Sequence, residues 1–214
     1  MSDPVRVIYY FDVISQWCYF ADITLDRMQE RYGDRLTIDW KIALVNDGKP
    51  FSSRIEAMAW VYDRSKAISG IETNAGWRRP NDETLWVNVA AEAARLLGHP
   101  EARRELARAA LIDGTSIGSY ESALDVACSA TGIARDPLAS MMPEATAIVR
   151  ATTAEYKALP VDVVPCLIIR NQIGDTAIFS GLFEYSTFES AVGEMIRAAD
   201  GYEVFAMKNP PMPT

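Results

Sequence analysis

Residues 5–20 of the chain read VRVIYYFDVISQWCYF, and this stretch joins a strand pattern to the beginning of a helix. Its first seven residues are mostly β-branched or aromatic, which is typical of a largely buried strand ending at Asp12. After Ser15 the apolar residues recur at helical spacing as far as Tyr32, and Gly33 is a natural C-terminal cap. The stretch therefore predicts a strand, a short turn and a helix.

The rest of the pattern places a long helical block between two strand-rich parts. Residues 36–44 alternate apolar and polar side chains in their first half and predict a second strand. Residues 53–157 are Ala-rich with helical periodicity and predict four or five helices. Strand character returns at 161–170 and 176–180, and 184–199 form an amphipathic helix. The order βαβ, helical block, ββα indicates an α/β fold.

Composition argues against several classes of protein. The 214 residues are 49% hydrophobic, which is enough to bury a core, and the net charge of −8 comes without a run of Lys or Arg that would hold a phosphate backbone. The N-terminal residues lack the basic start and longer apolar stretch of a signal peptide, and no run of about 18 apolar residues occurs that would span a bilayer. We therefore expect a cytoplasmic protein that binds neither nucleic acid nor a membrane.

The cysteines and the histidine form no recognisable ligand set. Cys18, Cys128 and Cys166 are an odd number of cysteines spread over the chain, unlike a secreted disulfide scaffold. The single histidine, His99, lies in an apparent turn between two helices, and the carboxylates are scattered. We expect no metal site.

The turn after the first strand is the best candidate for chemistry. Ser15, Gln16, Trp17 and Cys18 stand where a helix begins, and there the backbone amides and the positive end of the helix dipole stabilise an anion. A thiolate is the relevant anion, because a thiol at a helix N-terminus has its ionised form favoured and reacts at neutral pH. Ser15 can donate its hydroxyl to such a thiolate, and a serine here is also an ordinary N-cap.

A second feature is Pro165, within the strand predicted for residues 161–170. Proline removes a donor from the ladder, and a cis bond after Val164 is one structural reason for its presence. We expect the Val164–Pro165 bond to be cis and to lie opposite the Ser15–Cys18 turn. Val164 would then present its amide and carbonyl to an extended ligand as an added strand would.

The order of elements, the Ser15–Cys18 motif and the later Val164–Pro165 pair together resemble the DsbA-like thioredoxin group, over nearly the whole chain. The chain is similar to FrnE-type oxidoreductases, 2-hydroxychromene-2-carboxylate isomerases and kappa-class glutathione transferases. The oxidoreductases carry two cysteines in the motif, whereas the isomerases and transferases have a serine first, as Ser15 is here. Cys18 takes the fourth position, and Gln16 replaces the usual proline.

The resemblance implies a thioredoxin fold with an all-helical insertion. Ser180 and Gly181 before the last helix also match the group, whereas residues 182–184 (Leu, Phe, Glu) replace the Asp-Arg type pair that helps the isomerases and transferases to hold glutathione. The segments implied are the first part of the thioredoxin-fold domain (1–50), the helical insertion domain (51–158), the second part of the thioredoxin-fold domain (159–205) and an irregular tail (206–214).

The same resemblance implies an enzyme that works with a glutathione-type thiol, as an isomerase or a transferase. Ser15 and Cys18 would be the catalytic residues. The residues expected to bind the thiol cofactor are Gln16, Trp17, Val164, Pro165 and Gly181. The expected partners are a small-molecule or thiol/disulfide substrate and, since relatives are often dimers, a second copy of the chain.

Two other functions stay open at this point. In the first, Cys18 is a single reactive thiol with a lowered pKa that exchanges with disulfides, and Cys166 resolves the product. In the second, the chain is a non-catalytic binding protein on the same fold. Arg78 and Arg79, beside Trp77, belong either to an anion site or to a solvated loop.

Overall fold

The computed structural model describes residues 3–50, 63–74 and 82–209. Short 3₁₀ turns at Gly33–Arg35 and Val45–Gly48 follow the first helix and the second strand. The longer elements, in chain order, are β1 (Val5–Phe11), α1 (Gln16–Tyr32), β2 (Leu36–Ile42), a helical stretch at 63–69, α2 (Leu85–Leu96), α3 (Ala102–Leu111), α4 (Tyr120–Thr131), α5 (Arg135–Lys157), β3 (Cys166–Arg170), β4 (Thr176–Ser180) and α6 (Tyr185–Lys208).

The four strands form one mixed sheet in the order β2-β1-β3-β4. β1 pairs in parallel with β2 and antiparallel with β3, and β3 pairs antiparallel with β4. A parallel pair needs a crossover connection, which α1 supplies. Because β1 is central and its side chains alternate between the faces, both Tyr9 and Tyr10 are almost completely buried. The α/β class predicted from the sequence is confirmed.

Helices α2 to α5 separate β2 from β3 along the chain, as the helical insertion requires. Helix α2 lies at the centre of this block and packs against α3, α4 and α5. Ala90, Ala91, Ala93 and Ala94 of α2 are all inaccessible to solvent. A helix that is apolar around most of its circumference is covered on several sides, which explains its central place.

Helix α5 returns the chain from the insertion to the sheet. Near its end, Glu155 accepts hydrogen bonds from the Tyr10 hydroxyl and from Lys41 Nζ, both at 2.7 Å. The Leu44 amide donates to Thr153 Oγ1 at 3.1 Å. The last turns of α5 are therefore fixed against β1 and against the end of β2.

Three predicted boundaries are wrong. The strand expected over residues 161–170 begins only at Cys166, because Pro165 has no amide hydrogen to start the ladder earlier. The strand expected over residues 36–44 ends at Ile42.

The third wrong boundary is the end of the last helix. The tail expected from residue 206 is helical as far as Lys208, whereas residues 210–214 lie outside the described ranges. Beyond Ala199 none of the helix residues is buried, so the apolar pattern that marks a packed helix ends before the helix itself.

A buried ion pair joins α1 to the insertion. Arg103 on α3 donates from its guanidinium to the carboxylate of Asp22 on α1, and the two side chains are only 8% and 10% exposed. The guanidinium carbon also lies 5.2 Å from the ring centre of Phe11 and 5.6 Å from that of Trp40. Arg103 thus contacts the crossover helix and both parallel strands at one point.

Replacing Arg103 with methionine should lower the free energy of unfolding by about 3–5 kcal/mol, because the Asp22 carboxylate is left buried without its countercharge. Arg104→Met is the matched control, since Arg104 pairs with Asp26 across the same two helices with side chains 41% and 47% exposed. The control should lose less than about 1 kcal/mol. Urea denaturation measures both losses, and equal losses would contradict the assignment.

Candidate functional site at the start of helix α1

Ser15 is the N-cap of α1 and remains half-exposed. Its Oγ accepts a hydrogen bond from the Cys18 amide at 3.4 Å, and its carbonyl accepts from the Tyr19 amide at 3.0 Å. The first turn of α1 carries no acidic side chain. The positive end of the helix dipole is therefore not neutralised from within its own first turn. The Ser15 hydroxyl also donates to the Cys18 thiol, and rotation about its C–O bond can turn the same hydrogen towards a ligand.

The buried carboxylate of Asp12 holds the turn that leads into Ser15. Asp12 Oδ1 accepts from the Ile14 amide at 3.1 Å and from Asn88 Nδ2 at 2.8 Å, and Oδ2 accepts from the Val45 amide at 2.9 Å. Desolvation raises the pKa of Asp12 to about 6, although these three hydrogen bonds act in the opposite direction. The turn is thus fixed by a side chain with no exposed surface.

Asn88, on α2, completes this support and is not among the residues that the sequence singles out. Its Oδ1 accepts from the Val13 amide at 2.9 Å, and its Nδ2 donates to the Thr84 carbonyl at 2.8 Å as well as to Asp12. The available signal was a lone amide side chain within the largely apolar stretch LWVNVAA at residues 85–91. A polar side chain in such a stretch needs a buried partner.

The segment around Pro165 meets the turn before α6. The Val164–Pro165 peptide bond is cis, the isomer expected from the sequence. The Pro165 carbonyl accepts from the Gly181 amide at 2.9 Å, and Ser180 Oγ donates to the Val163 carbonyl at 2.8 Å. These two bonds tie the proline loop to the end of β4.

Gly181 also brings this segment to the start of α1. Its φ is +80°, and a Cβ added there would lie 3.5 Å from Val163 Cγ1 and 3.7 Å from Trp17 Cζ3. The indole of Trp17 and the side chain of Val163 therefore both lie beside Gly181. A side chain at position 181 would be strained by the backbone conformation and would enter this contact.

The sequence matches the DSBA-like thioredoxin domain over residues 6–193, which is most of its length. The chain belongs to the DSBA-like thioredoxin family. No curated protein sequence matches it.

Solved structures with the same fold cover nearly the whole chain at low identity. A probable DsbA oxidoreductase from Streptomyces coelicolor has a TM-score of 0.69 at 16% identity, over 98% of this chain and 93% of its own. The cytosolic disulfide reductase DsbM from Pseudomonas aeruginosa has 0.65 at 15%, over 94% and 100%. 2-Hydroxychromene-2-carboxylate isomerase has 0.67 at 19%, over 92% and 98%. At these identities the likeness shows the thioredoxin-like fold alone.

Cys18 of the motif and Cys166, which follows Pro165, are both buried free thiols in this DSBA-like protein. Cys18 is 1% exposed and Cys166 is inaccessible. Desolvation raises the pKa of Cys18 well above its usual range, against the lowering effect of hydrogen bonds from the Ser15 side chain and the Asp12 amide. Desolvation likewise raises the pKa of Cys166 to about 11. The lowered thiol pKa expected for Cys18 as a reactive thiol is therefore wrong.

Of the other polar candidates from the sequence, His99 and the Arg78–Arg79 pair, the structure describes only His99. His99 lies in the turn between α2 and α3, where its Nδ1 is 3.2 Å from a carboxylate oxygen of Glu101. Arg78 and Arg79 lie outside the described residues. Within the described ranges no cluster of His, Cys, Asp and Glu is suited to a metal ion. No helix in the described part of the chain has the length and apolar character needed to cross a membrane.

The elevated pKa of Asp12 predicts a specific pH dependence of stability. Because its pKa is raised from 3.8 to about 6 on folding, the native protein retains this proton at pH values where the unfolded chain has lost it. The contribution is present below about pH 4 and is lost as the pH rises towards 6. Between pH 4 and pH 7, the wild type should lose roughly 2 kcal/mol more unfolding free energy than Asp12→Asn. Urea titrations with the same pH dependence for both proteins would contradict this.

Burial also predicts the order in which the thiols react. In the native protein at pH 7.5, iodoacetamide should label Cys128, which is half-buried, before Cys18 and Cys166. All three should react after denaturation in guanidinium chloride. Peptide mass spectrometry over time gives the three rates, and fast native labelling of Cys18 would restore it as a candidate nucleophile.

Proposed function

We propose that this DSBA-like protein binds a glutathione-type thiol at Ser15 and uses it in an isomerase or transferase reaction. The observation that carries the proposal is the difference in exposure between Ser15 and Cys18 of the motif. Ser15 is half-exposed at a helix N-terminus, whereas the Cys18 thiol is buried and its pKa is raised by desolvation. The site favours a thiolate that its own cysteine does not supply, so the thiolate comes from a bound molecule.

Ser15 would orient and stabilise this thiolate by donating its hydroxyl hydrogen to the sulfur. The first-turn amides of α1 add their partial positive charge at the same place. Gln16 and Trp17 on α1, together with Val164, Pro165 and Gly181, would bind the rest of the thiol. The closeness of the Trp17 indole to Gly181 supports this grouping, because the Gly181 amide also donates to the Pro165 carbonyl.

The chemistry that follows is nucleophilic addition by the bound thiolate. The sulfur forms a C–S bond to an electrophilic carbon, and the displaced electron pair of the substrate takes a proton. In an isomerisation the thiolate leaves again after rotation about the former double bond, so that no net oxidation occurs. In a transfer the thioether is the product. Both need one stabilised thiolate, which is what Ser15 and the helix start provide.

Two solved structures of this fold support the proposal, one through its bound ligand and one through its reaction. One structure of DsbM from Pseudomonas aeruginosa contains GSH, and the isomerase is a neighbour of similar TM-score. Cycling between dithiol and disulfide within the motif needs two cysteines, and here Ser15 occupies the first of those positions. With Cys18 buried as well, an oxidoreductase that relies on the motif alone fits less well.

Ser15→Ala tests the proposal directly. Wild-type protein should bind glutathione and lower the pKa of its thiol below the free value of about 8.5, because the helix start stabilises the thiolate. Ser15→Ala should bring the pKa of the bound thiol back towards the free value. Thiolate absorbance at 240 nm against pH, with an S-methylglutathione blank, measures the pKa.

Ser119→Ala is the matched control for loss of a cap. Ser119 caps α4 with a 3.1 Å bond from the Ser122 amide, and it is exposed. Its replacement should cost about 1 kcal/mol of stability and leave the binding of glutathione and the pKa of the bound thiol unchanged. If Ser15→Ala behaves like Ser119→Ala in both measurements, Ser15 is only a cap. If wild-type protein binds no glutathione at millimolar concentration, the proposed cofactor is wrong.

A further inference from the structure

Gln16 is a buried polar side chain, and among the described residues only the nitrogen of its carboxamide has a hydrogen-bond partner. It is the first residue of α1 and follows Ser15 directly, yet it is only 4% exposed. Its Nε2 donates a hydrogen bond to Thr73 Oγ1. Its Oε1 is shielded from solvent and has no hydrogen-bond partner among the residues that the structure describes.

An unpaired buried amide oxygen is costly at this position. Leaving such an acceptor unsatisfied costs about 1–3 kcal/mol, and buried polar groups in folded proteins are nearly always paired. Proline, the usual residue of the related motifs, is well suited to the first position of a helix and would bring no such cost. A bound ligand that supplies a donor to its oxygen would remove this cost and account for Gln16 at this position.

The polar groups at the start of α1 indicate the chemical class of the ligand that would carry this donor. The Ser15 hydroxyl and the first-turn amides of α1 are donors, which suit the sulfur of a thiolate. Gln16 is the next residue of the same helix start, its Oε1 is an acceptor, and Thr73 fixes the amide by engaging its nitrogen. The complementary molecule carries a thiolate and, a few bonds away, an N–H or O–H group. An amide-bearing thiol such as a cysteinyl peptide has both groups, whereas a simple alkyl thiol has only the first.

We propose that Gln16 is a specificity-determining residue, whose carboxamide oxygen accepts a hydrogen bond from an amide N–H of the thiol held at Ser15. The inference rests on the proposed function and narrows its ligand class to thiols with an amide close to the sulfur. Thr73 is the positioning residue, since it orients the Gln16 amide without contacting the ligand. The bond forms away from bulk water, where a hydrogen bond is electrostatically stronger.

Two probe thiols that differ in one group test this. N-acetylcysteamine carries an amide N–H two carbons from its sulfur, and 2-mercaptoethyl acetate has an ester oxygen in its place. Wild-type protein should bind the amide about three- to tenfold more tightly than the ester, the effect of one net hydrogen bond. Chemical-shift titration gives both dissociation constants. The thiol pKa of each bound probe, read at 240 nm, reports separately on Ser15.

Two variants of Gln16 remove the acceptor in different ways. Gln16→Met keeps the length of the side chain, and Gln16→Pro introduces the residue typical of the related motifs, which is tolerated at the first helical position. Both should bind the two probes equally, with the lowered thiol pKa retained. Thr73→Val should reduce the preference for the amide without abolishing binding.

The outcomes separate this inference from the proposed function. If wild-type protein lowers the pKa of both thiols but binds them equally, the role of Gln16 is wrong and the thiolate site stands. A preference for the amide that persists in both Gln16 variants would assign the N–H to another acceptor and overturn the inference. If neither probe nor glutathione binds, the proposed function and the inference resting on it both fail.

Discussion

The hydrogen bonds of the buried Asp12 carboxylate hold the candidate site together. They join three segments that are distant in sequence: the turn before α1, the residues after β2 and, through Asn88, helix α2 of the insertion. A carboxylate without exposed surface needs such donors, because an unpaired charge in the interior is far more costly than a paired one. The position of Ser15 thus depends on an amide contributed by the helical insertion.

Within the motif, Ser15 and Cys18 differ in burial, and this difference sets their chemical properties. Desolvation is the main reason for the raised pKa of Cys18, and the nearby Asp12 charge adds to it, while hydrogen bonds from Ser15 and the Asp12 amide oppose it. Helix N-termini lower thiol pKa values only where the thiolate remains accessible to their dipole and to solvent. In this protein burial outweighs the dipole at Cys18, and for that reason we propose the half-exposed Ser15 as the group that meets a ligand.

Helix α1 connects the sheet and the insertion, and its two ends differ in function. About two turns along α1 from Ser15, Asp22 pairs with Arg103 of α3, and that guanidinium also covers Phe11 and Trp40 of the parallel strands. This pair anchors the helix body, whereas in the N-terminal turn Ser15 is half-exposed and the Gln16 oxygen has no hydrogen-bond partner within the described ranges. The body of α1 thus carries the buried ion pair, and its N-terminal turn carries the residues that we propose for ligand recognition.

Local patterns in the sequence were sufficient for the elements with a clear period. Residues 5–11 and 176–180 are strands as predicted, and the helix expected after Ser15 ends before Gly33, because alternation and helical spacing record which side chains are buried. The end of α6 was not predictable, since its last turns bury no side chain.

The sequence alone also determined the α/β class, the family and the place of Ser15 at a helix start. Only the tertiary structure decided that Cys18 is protected, that Asn88 supports the turn and that Thr73 meets Gln16. The bonds of Asn88 to Asp12 and of Gln16 to Thr73 join residues 76 and 57 positions apart, and no local pattern records such distant partners.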